Sequence, residues 1–375
     1  MLMRRLRLSR PTLITLGKWL LAVAAGVAGM LLVFSFTSDD PVGAIQGLLT
    51  GGFSSPGRMS QWILYSSFLM LTGASVCLAF RVGMFSIGAE GQVFIGALAG
   101  GYVVLTLGST PGTLLLAIVA AIIGGFLWGL LPGMMKAHLA VDEIVSTLMM
   151  NYIAVFGFAF IIKEFLQPPN AGFPVSEFFL PAAWLPTIGT APAISTALPL
   201  AIAVCIGASL LLSRTRLGYQ LRMVGDSPKF AHANGMPVAR LIWLAIALSG
   251  AVAGLAGAAI AFGGTHRLIL GMATGIGFDG ILVALLALNR PALVPVTALV
   301  YGYIRTGGDV IQITSNVPRD VVVILQGVVI LVLAALIRRR AAAKRSIASD
   351  VALESVAIQV PEPATAGPRT RKGDS

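Results

Sequence analysis

Ile87-Gly88-Ala89-Glu90-Gly91 and Ile276-Gly277-Phe278-Asp279-Gly280 are the two stretches on which the reading of this chain turns. Each sets a carboxylate between glycines at the start of a long apolar run. A carboxylate there is costly in a bilayer unless it faces a protein interior or a water-filled path. Glycine-interrupted apolar segments at corresponding places in the two halves of a chain point to a binding site near the membrane midplane.

The composition around these motifs agrees. The 375 residues are 57% hydrophobic and 11% charged, with a mean hydropathy of +0.89. Soluble domains average about 25% charged residues, so the chain reads as an all-α polytopic membrane protein embedded in a lipid bilayer. The net charge of +11 does not imply a nucleic-acid partner. The cations gather in three places: Arg4, Arg5, Arg7, Arg10 and Lys18; Arg214, Arg216, Arg222, Lys229 and Arg240; and Arg338, Arg339, Arg340, Lys344 and Arg345. That is the pattern of loops retained on the cytoplasmic side. Cys77 and Cys205 both lie in apolar runs, with no CxxC or His/Cys cluster, so neither a disulfide framework nor a metal site is expected. The first apolar stretch, Trp19 to Phe36, is long and ends in a poor cleavage site, which makes it a retained helix rather than a signal peptide.

With about 20 apolar residues per crossing, ten crossings are expected: Lys18–Phe36, Gln61–Phe80, Phe85–Leu107, Thr113–Met135, Ile144–Ile162, Ala193–Ser213, Leu241–Phe262, Gly277–Leu288, Leu293–Ile304 and Asp320–Ile337. Residues 1–17 form a basic cytoplasmic N-terminus, 18–337 the transmembrane domain, and 338–375 a polar, disordered cytoplasmic tail. Six prolines keep the external loop 163–192 from forming a continuous helix. On this count Glu90 opens a helix running outward and Asp279 one running inward. Further matches keep the same order: Pro111 with Pro291, Leu127-Trp128-Gly129 with Val300-Tyr301-Gly302, and Glu143-Ile144-Val145 with Asp320-Val321-Val322. Two five-helix repeats of inverted topology are therefore expected.

Two readings of the carboxylates stay open. Glu90 and Asp279 line a path, or they are helix-start residues stabilised by the macrodipole, by up to about 2 kcal/mol. Asn151, four residues after Thr147 on one helix face, either bonds a neighbouring helix or meets a solute; a buried amide needs a partner in either case. Gly275 to Gly280 matches GxGxxG, but that fingerprint needs a strand–turn–helix unit in a soluble domain. Ser249, Gly250 and Gly254 have the spacing of close helix packing. No GxxxxGK[ST] loop for ATP occurs. In the cytoplasmic segment 214–240, Leu217, Leu221 and Val224 share one face of a short amphipathic helix. Gly225 and Gly235 punctuate the segment, and its apolar stripe suits a docking element for a cytoplasmic subunit.

Phe85-Ser86-Ile87-Gly88-Ala89-Glu90-Gly91-Gln92 resembles the N-x-G-x-E-G-Q stretch of the permease subunits of bacterial ABC importers, the group serving simple sugars, branched-chain amino acids and nucleosides. Ser86 stands where that family usually has Asn. Leu221-Arg222-Met223-Val224-Gly225-Asp226, then Ala231 and Gly235-Met236, resemble its coupling loop R-A-V-G-x-N…A…G-I, with Asp226 replacing Asn and Met236 replacing Ile. The likeness covers roughly residues 73–336. Glu143 to Tyr152 and Gly277 to Leu286 are similar to the nucleoside branch, with Asp142 departing from its usual Asn.

The resemblance implies a permease subunit that moves a nucleoside or related small polar solute across the bacterial inner membrane by alternating access. A ribose-type sugar permease is the alternative. An ion-coupled secondary transporter is a further alternative, which the coupling-loop pattern disfavours. Phe85, Glu90, Gln92, Asn151, Phe278 and Asp279 would belong to the substrate pathway. Leu217, Gly218, Leu221, Arg222, Gly225, Asp226, Ala231 and Gly235 would couple to ABC ATPase subunits. The other implied partners are a second permease copy or paralogue and an extracytoplasmic solute-binding protein. Both termini would be cytoplasmic. The chain would hold no cofactor, metal or catalytic residue, since ATP and Mg would sit on the ATPase subunits.

Overall fold

The structure is a computed structural model that describes residues 50–108, 111–314 and 327. Ten α-helices account for most of it: α1 (Pro56–Phe80), α2 (Ala89–Leu107), α3 (Pro111–Leu139), α4 (Glu143–Ile161), α5 (Ala197–Arg214), α6 (Arg216–Asp226), α7 (Pro228–Ala233), α8 (Val238–Ile260), α9 (Ile276–Leu286) and α10 (Val294–Thr314). A two-stranded antiparallel ribbon, β1 (Thr187–Ile188) and β2 (Ile194–Ser195), pairs Thr187 with Ser195. Among the described residues, six helices are long and apolar enough to cross a membrane: α1, α2, α3, α4, α5 and α8.

The helix starts follow local chemistry. Pro56 opens α1 after Ser55, whose hydroxyl accepts from the Arg58 N–H. Asp142 opens α4 by accepting from the Ile144 and Val145 N–H groups, the usual work of a short polar residue at that place. The two central helices are α1 and α8, with 83% and 78% of their most apolar stretches buried, against 22% in α3. A helix apolar on all sides has to be surrounded, and α1 is enclosed by α5, α8, α9 and α10.

Lipid tails are as apolar as leucine, so helix association in a membrane relies on close backbone approach. The contact of α2, α3 and α8 is made in this way. A Cβ on Gly96 would lie 2.3 Å from the Gly254 Cα, one on Gly125 2.2 Å from the Gly250 carbonyl oxygen, and one on Gly257 2.1 Å from the Val93 carbonyl oxygen. Ser249 does not join this seam. Its hydroxyl and carbonyl meet the Ser75 hydroxyl of α1, at 3.0 and 2.8 Å.

The third and ninth expected crossings need correction, the ninth because its helix runs on to Thr314, while the eighth is as short as its sequence suggests. The third begins at Ala89 rather than Phe85, because Gly83 takes a left-handed φ of 75° and the chain up to Gly88 is a turn. The eighth is a half-length element. At 11 residues, α9 rises about 16 Å, roughly half of a 30 Å hydrocarbon core. It meets α10 at 104°, across a break where Leu288 and Asn289 both have φ of 54°. The first and tenth expected crossings, residues 1–17 and the tail 338–375 lie outside the described residues.

The connections close the two ends of the bundle. At one end, residues 81–84 meet α6. At the other, the segment between α4 and α5 zips onto the segment after α8: the Ser176 N–H donates to the Leu268 carbonyl at 2.9 Å and the Leu185 N–H to the Phe262 carbonyl at 3.0 Å. Trp184 stacks on His266 at 4.0 Å, and the Arg267 guanidinium lies 4.2 Å from the Phe178 ring centre.

Candidate functional site

The start of α2 carries no cap of its own side chains, and α4 supplies one. The Asn151 Oδ1 accepts from the Gly91 N–H at 2.8 Å, and its Nδ2 donates to the Ile87 carbonyl at 2.8 Å. One turn earlier, the Thr147 hydroxyl accepts from the Ile87 N–H at 3.2 Å. A Cβ on Gly91 would lie 2.9 Å from the Asn151 Oδ1, so the glycine is what lets α4 come this close. Asn151 is buried, and both ends of its amide are engaged. Of the two roles open for it, the structure shows the interhelical bond. Asn151→Ala is expected to lower stability by about 1–3 kcal/mol, because it strands a buried N–H and a buried carbonyl. Thermal melting of the purified chain checks this, and an unchanged midpoint would refute the capping role.

Asp279 is likewise engaged. The Tyr65 hydroxyl of α1 donates to its Oδ2 at 2.9 Å, and the Tyr301 hydroxyl of α10 donates to its Oδ1. The Arg305 Nη1 of α10 lies 3.5 Å from Oδ2. Immediately beside it, a Cβ on Gly280 would fall 2.6 Å from the Thr72 Oγ1, so α9 sits directly on α1. The carboxylate ties the short α9 to both long neighbours. Sequence reading missed Tyr65, Tyr301 and Arg305. A signal was available, since Arg305 is a cation in an apolar run with Tyr301 four residues before it on the same face.

The two opening motifs meet in space. A Cβ on Gly277 would lie 2.5 Å from the Glu90 N, so the first turns of α2 and α9 are in contact. Glu90 is 8% exposed, and its Oε2 has no partner among the described residues. The chain reaches this point as irregular backbone. Leu268 lies against Gly101 of α2 and Gly277 against Glu90, and most of the residues between them form turns. Leu270, Gly271 and Thr274 are exposed on the way. Irregular backbone at membrane depth is tolerated only when buried in protein or lining a water-filled cavity. Phe278, 46% exposed, sits in the second motif, and Phe85, 42% exposed, lies two residues before the first and stacks on Phe80. Gln92 does not join them. It is buried against Gly129 of α3, and its amide has no partner among the described residues.

The predicted coupling residues form α6, α7 and the turn after them. The apolar stripe points inward rather than outward: Leu221, Val224 and Ala231 are fully buried in a cluster with Leu78, Val82, Met84 and Leu241. Gly218 and Gly225 are close-approach points, with added Cβ atoms 2.1 Å from the carbonyl oxygens of Leu211 and Arg81. Leu217 and Arg222 are half-buried. Asp226 and Gly235 are exposed, together with Tyr219, Lys229, Phe230 and His232. An open cavity of about 590 Å³ lies beside this surface, lined by His138, His232, Arg240 and Trp243 among others.

Residues 58–334 match the family model described as branched-chain amino acid transport system / permease component. The chain is 32% identical to the guanosine ABC transporter permease protein of Bacillus subtilis (strain 168), over 83% of this chain and 90% of that protein. It is 30% identical to the glucose ABC transporter permease protein of Haloferax volcanii, over 82% of this chain and 83% of that protein. To the nucleoside ABC transporter permease protein NupB of Lactococcus lactis it is 26% identical, over 83% and 88%. With its apolar helices, the glycine-framed helix starts and a family match over most of its length, this chain belongs to the multi-pass membrane permease family of the branched-chain amino acid transport system / permease component.

Proposed function

We propose that this chain is the permease subunit of an ATP-driven ABC importer that carries nucleosides. The observation that carries the proposal is the junction of α2 and α9. A half-length helix, an irregular segment with exposed residues and a carboxylate whose Oε2 has no partner among the described residues lie next to one another in the bundle. A carrier needs such a site, and discontinuous helices provide one without leaving backbone groups in lipid. The relatives named for guanosine and for nucleosides support the solute class. The relative named for glucose favours a sugar as the second reading.

On this proposal the full chain crosses the inner membrane ten times, as two inverted five-helix repeats, with both termini in the cytoplasm. A second permease copy or paralogue completes the path, and an extracytoplasmic binding protein delivers solute to it. The exposed faces of α6 and α7 receive ATPase subunits, which hold ATP and Mg and drive alternating access. Leu221, Gly225 and Ala231 then act by seating this segment on the permease body, and Asp226, Lys229 and Phe230 by touching the partner.

Uptake of labelled guanosine by cells expressing the chain with its ATPase and binding protein tests the reading. Guanosine is expected to accumulate, to be undiminished by excess glucose, and to continue after an ionophore collapses the ion gradient at constant ATP. Glucose accumulation without guanosine would establish the sugar reading. Loss of uptake on ionophore addition would establish an ion-coupled carrier.

A further inference from the structure

We infer that the cavity between the end of α3 and the start of α8 holds the phosphate of an anionic phospholipid, with Arg240, His138 and His232 as its donors. The site does not depend on which solute is carried. Only its assignment to the cytoplasmic leaflet rests on the topology proposed above.

The cavity forms where two packed membrane helices part. A Cβ on Gly133 of α3 would lie 2.9 Å from the Trp243 Cα of α8, so the two backbones are in close contact there. Beyond Gly133, α3 runs on to His138 in its last turn. On the other side the chain leaves α7, turns at Gly235 with a φ of 74°, and enters α8 at Val238. His138, His232, Arg240 and Trp243 line one space of about 590 Å³, with Met236 and Pro237 among its apolar lining. Small-molecule sites span about 300–1,000 Å³.

Three of the lining residues are basic and none is acidic. Arg240, His138 and His232 form no ion pair among the described residues, whereas Lys136, the other cation in the last turn of α3, is held by Glu143 at 2.6 Å. The guanidinium is a planar fork of donors that matches phosphate oxygens, and each imidazole offers an N–H in either protonation state. The start of α8 has no side-chain cap, which adds attraction for an anion.

The surface of α3 points to a lipid as the source of that phosphate. Leu127, Leu131 and Met134 are exposed, as is His138. Their spacing of four, three and four residues puts all four on one side of the helix, and only 22% of the most apolar stretch of α3 is buried. From Leu127 to His138 the helix rises about 16 Å, close to half of a 30 Å hydrocarbon core. An acyl chain lying along this stripe therefore brings its headgroup to the cavity. Basic pockets between membrane helices on the cytoplasmic side suit anionic headgroups, and tryptophan suits the membrane–water interface.

Native mass spectrometry of the full chain in a neutral detergent tests this, with phosphatidylglycerol, phosphatidylcholine and inorganic phosphate as probes. One phosphatidylglycerol is expected to bind about tenfold more tightly than phosphatidylcholine. Arg240→Gln should weaken it about tenfold, the worth of one charge-assisted hydrogen bond, and His138→Gln several-fold. Arg216→Gln removes an exposed cation of α6 that does not line the cavity and should bind as wild type does. Melting midpoints measured without lipid show whether each variant is folded, and the His138 variant carries the test if the Arg240 variant is not. Equal losses in the Arg216 and Arg240 variants would reduce the effect to net charge and overturn the site. Displacement of bound phosphatidylglycerol by inorganic phosphate would make this a free-phosphate site, and displacement by ATPase subunits a protein contact; either overturns the lipid assignment. The assay reads no transport, so its failure leaves the importer reading standing.

Discussion

Gly254→Leu is expected to leave no folded permease. Gly254 is where three helices meet: its own added Cβ would lie 2.2 Å from the Ala121 carbonyl oxygen of α3, and the Gly96 backbone of α2 presses on it from the other side. Backbone atoms cannot rotate away as a side chain can. Even alanine forces α3 or α2 outward, and such overpacking costs about 1–3 kcal/mol. Leucine adds three more carbons to the same gap and separates helices whose association depends on close approach. The variant should fail to give a monodisperse peak in size-exclusion chromatography. Gly207, in α5, is the internal control, because an added Cβ there meets nothing within 4 Å. Gly207→Ala should hold or raise stability, by about 0.5–1 kcal/mol, through loss of backbone freedom in the unfolded chain. If both variants elute and melt alike, the seam is not what holds α2, α3 and α8 together.

Asp279→Ala is the second large effect. It removes the acceptor of two tyrosine hydroxyls and the carboxylate 3.5 Å from the Arg305 guanidinium. Breaking a buried pair from one side costs about 3–5 kcal/mol. The Arg305 side chain is 23% exposed, which places the expected loss near the lower end, about 3 kcal/mol. Asp279→Asn keeps one acceptor oxygen and should fall between alanine and wild type. A double variant, Asp279→Ala with Arg305→Ala, should be less unstable than the sum of the singles, since residues in one network do not add. Melting midpoints of the four proteins measure the coupling. Uptake separates an anchor from a ligand: an anchor lowers the maximal rate and leaves the apparent affinity unchanged. Additive midpoints with a raised KM would make Asp279 a solute ligand.

These two sites show how unevenly the sequence reported. The spacing of Ser249, Gly250 and Gly254 marked α8 as a packing surface, and two of the three do pack against α2 and α3. The glycine-framed carboxylates marked helix starts, and both are helix starts. Leu217, Leu221 and Val224 were equally visible as a stripe, but a stripe has no sign. An apolar helix face reads the same whether it awaits a partner or already lies on its own protein, and here it lies on Leu78, Val82 and Met84. Asn151 was visible as a buried amide, and its partners, the backbone of Ile87 and Gly91, were not, because every residue offers the same N–H and carbonyl.

By itself the sequence determined that this chain is a helical membrane protein, roughly where the six long apolar helices of the described residues run, and that two carboxylates open two of the helices between glycines. Those properties are local: apolar length, charge placement and backbone freedom act within a few turns of the chain. Only the tertiary structure decided that Asp279 is tied to Tyr65, Tyr301 and Arg305, while the Glu90 Oε2 meets no partner among the described residues. It also decided that α9 touches α2. The physical reason is that a buried polar group is defined by which donors and acceptors other helices bring to it, and helices far apart in sequence meet only in the fold.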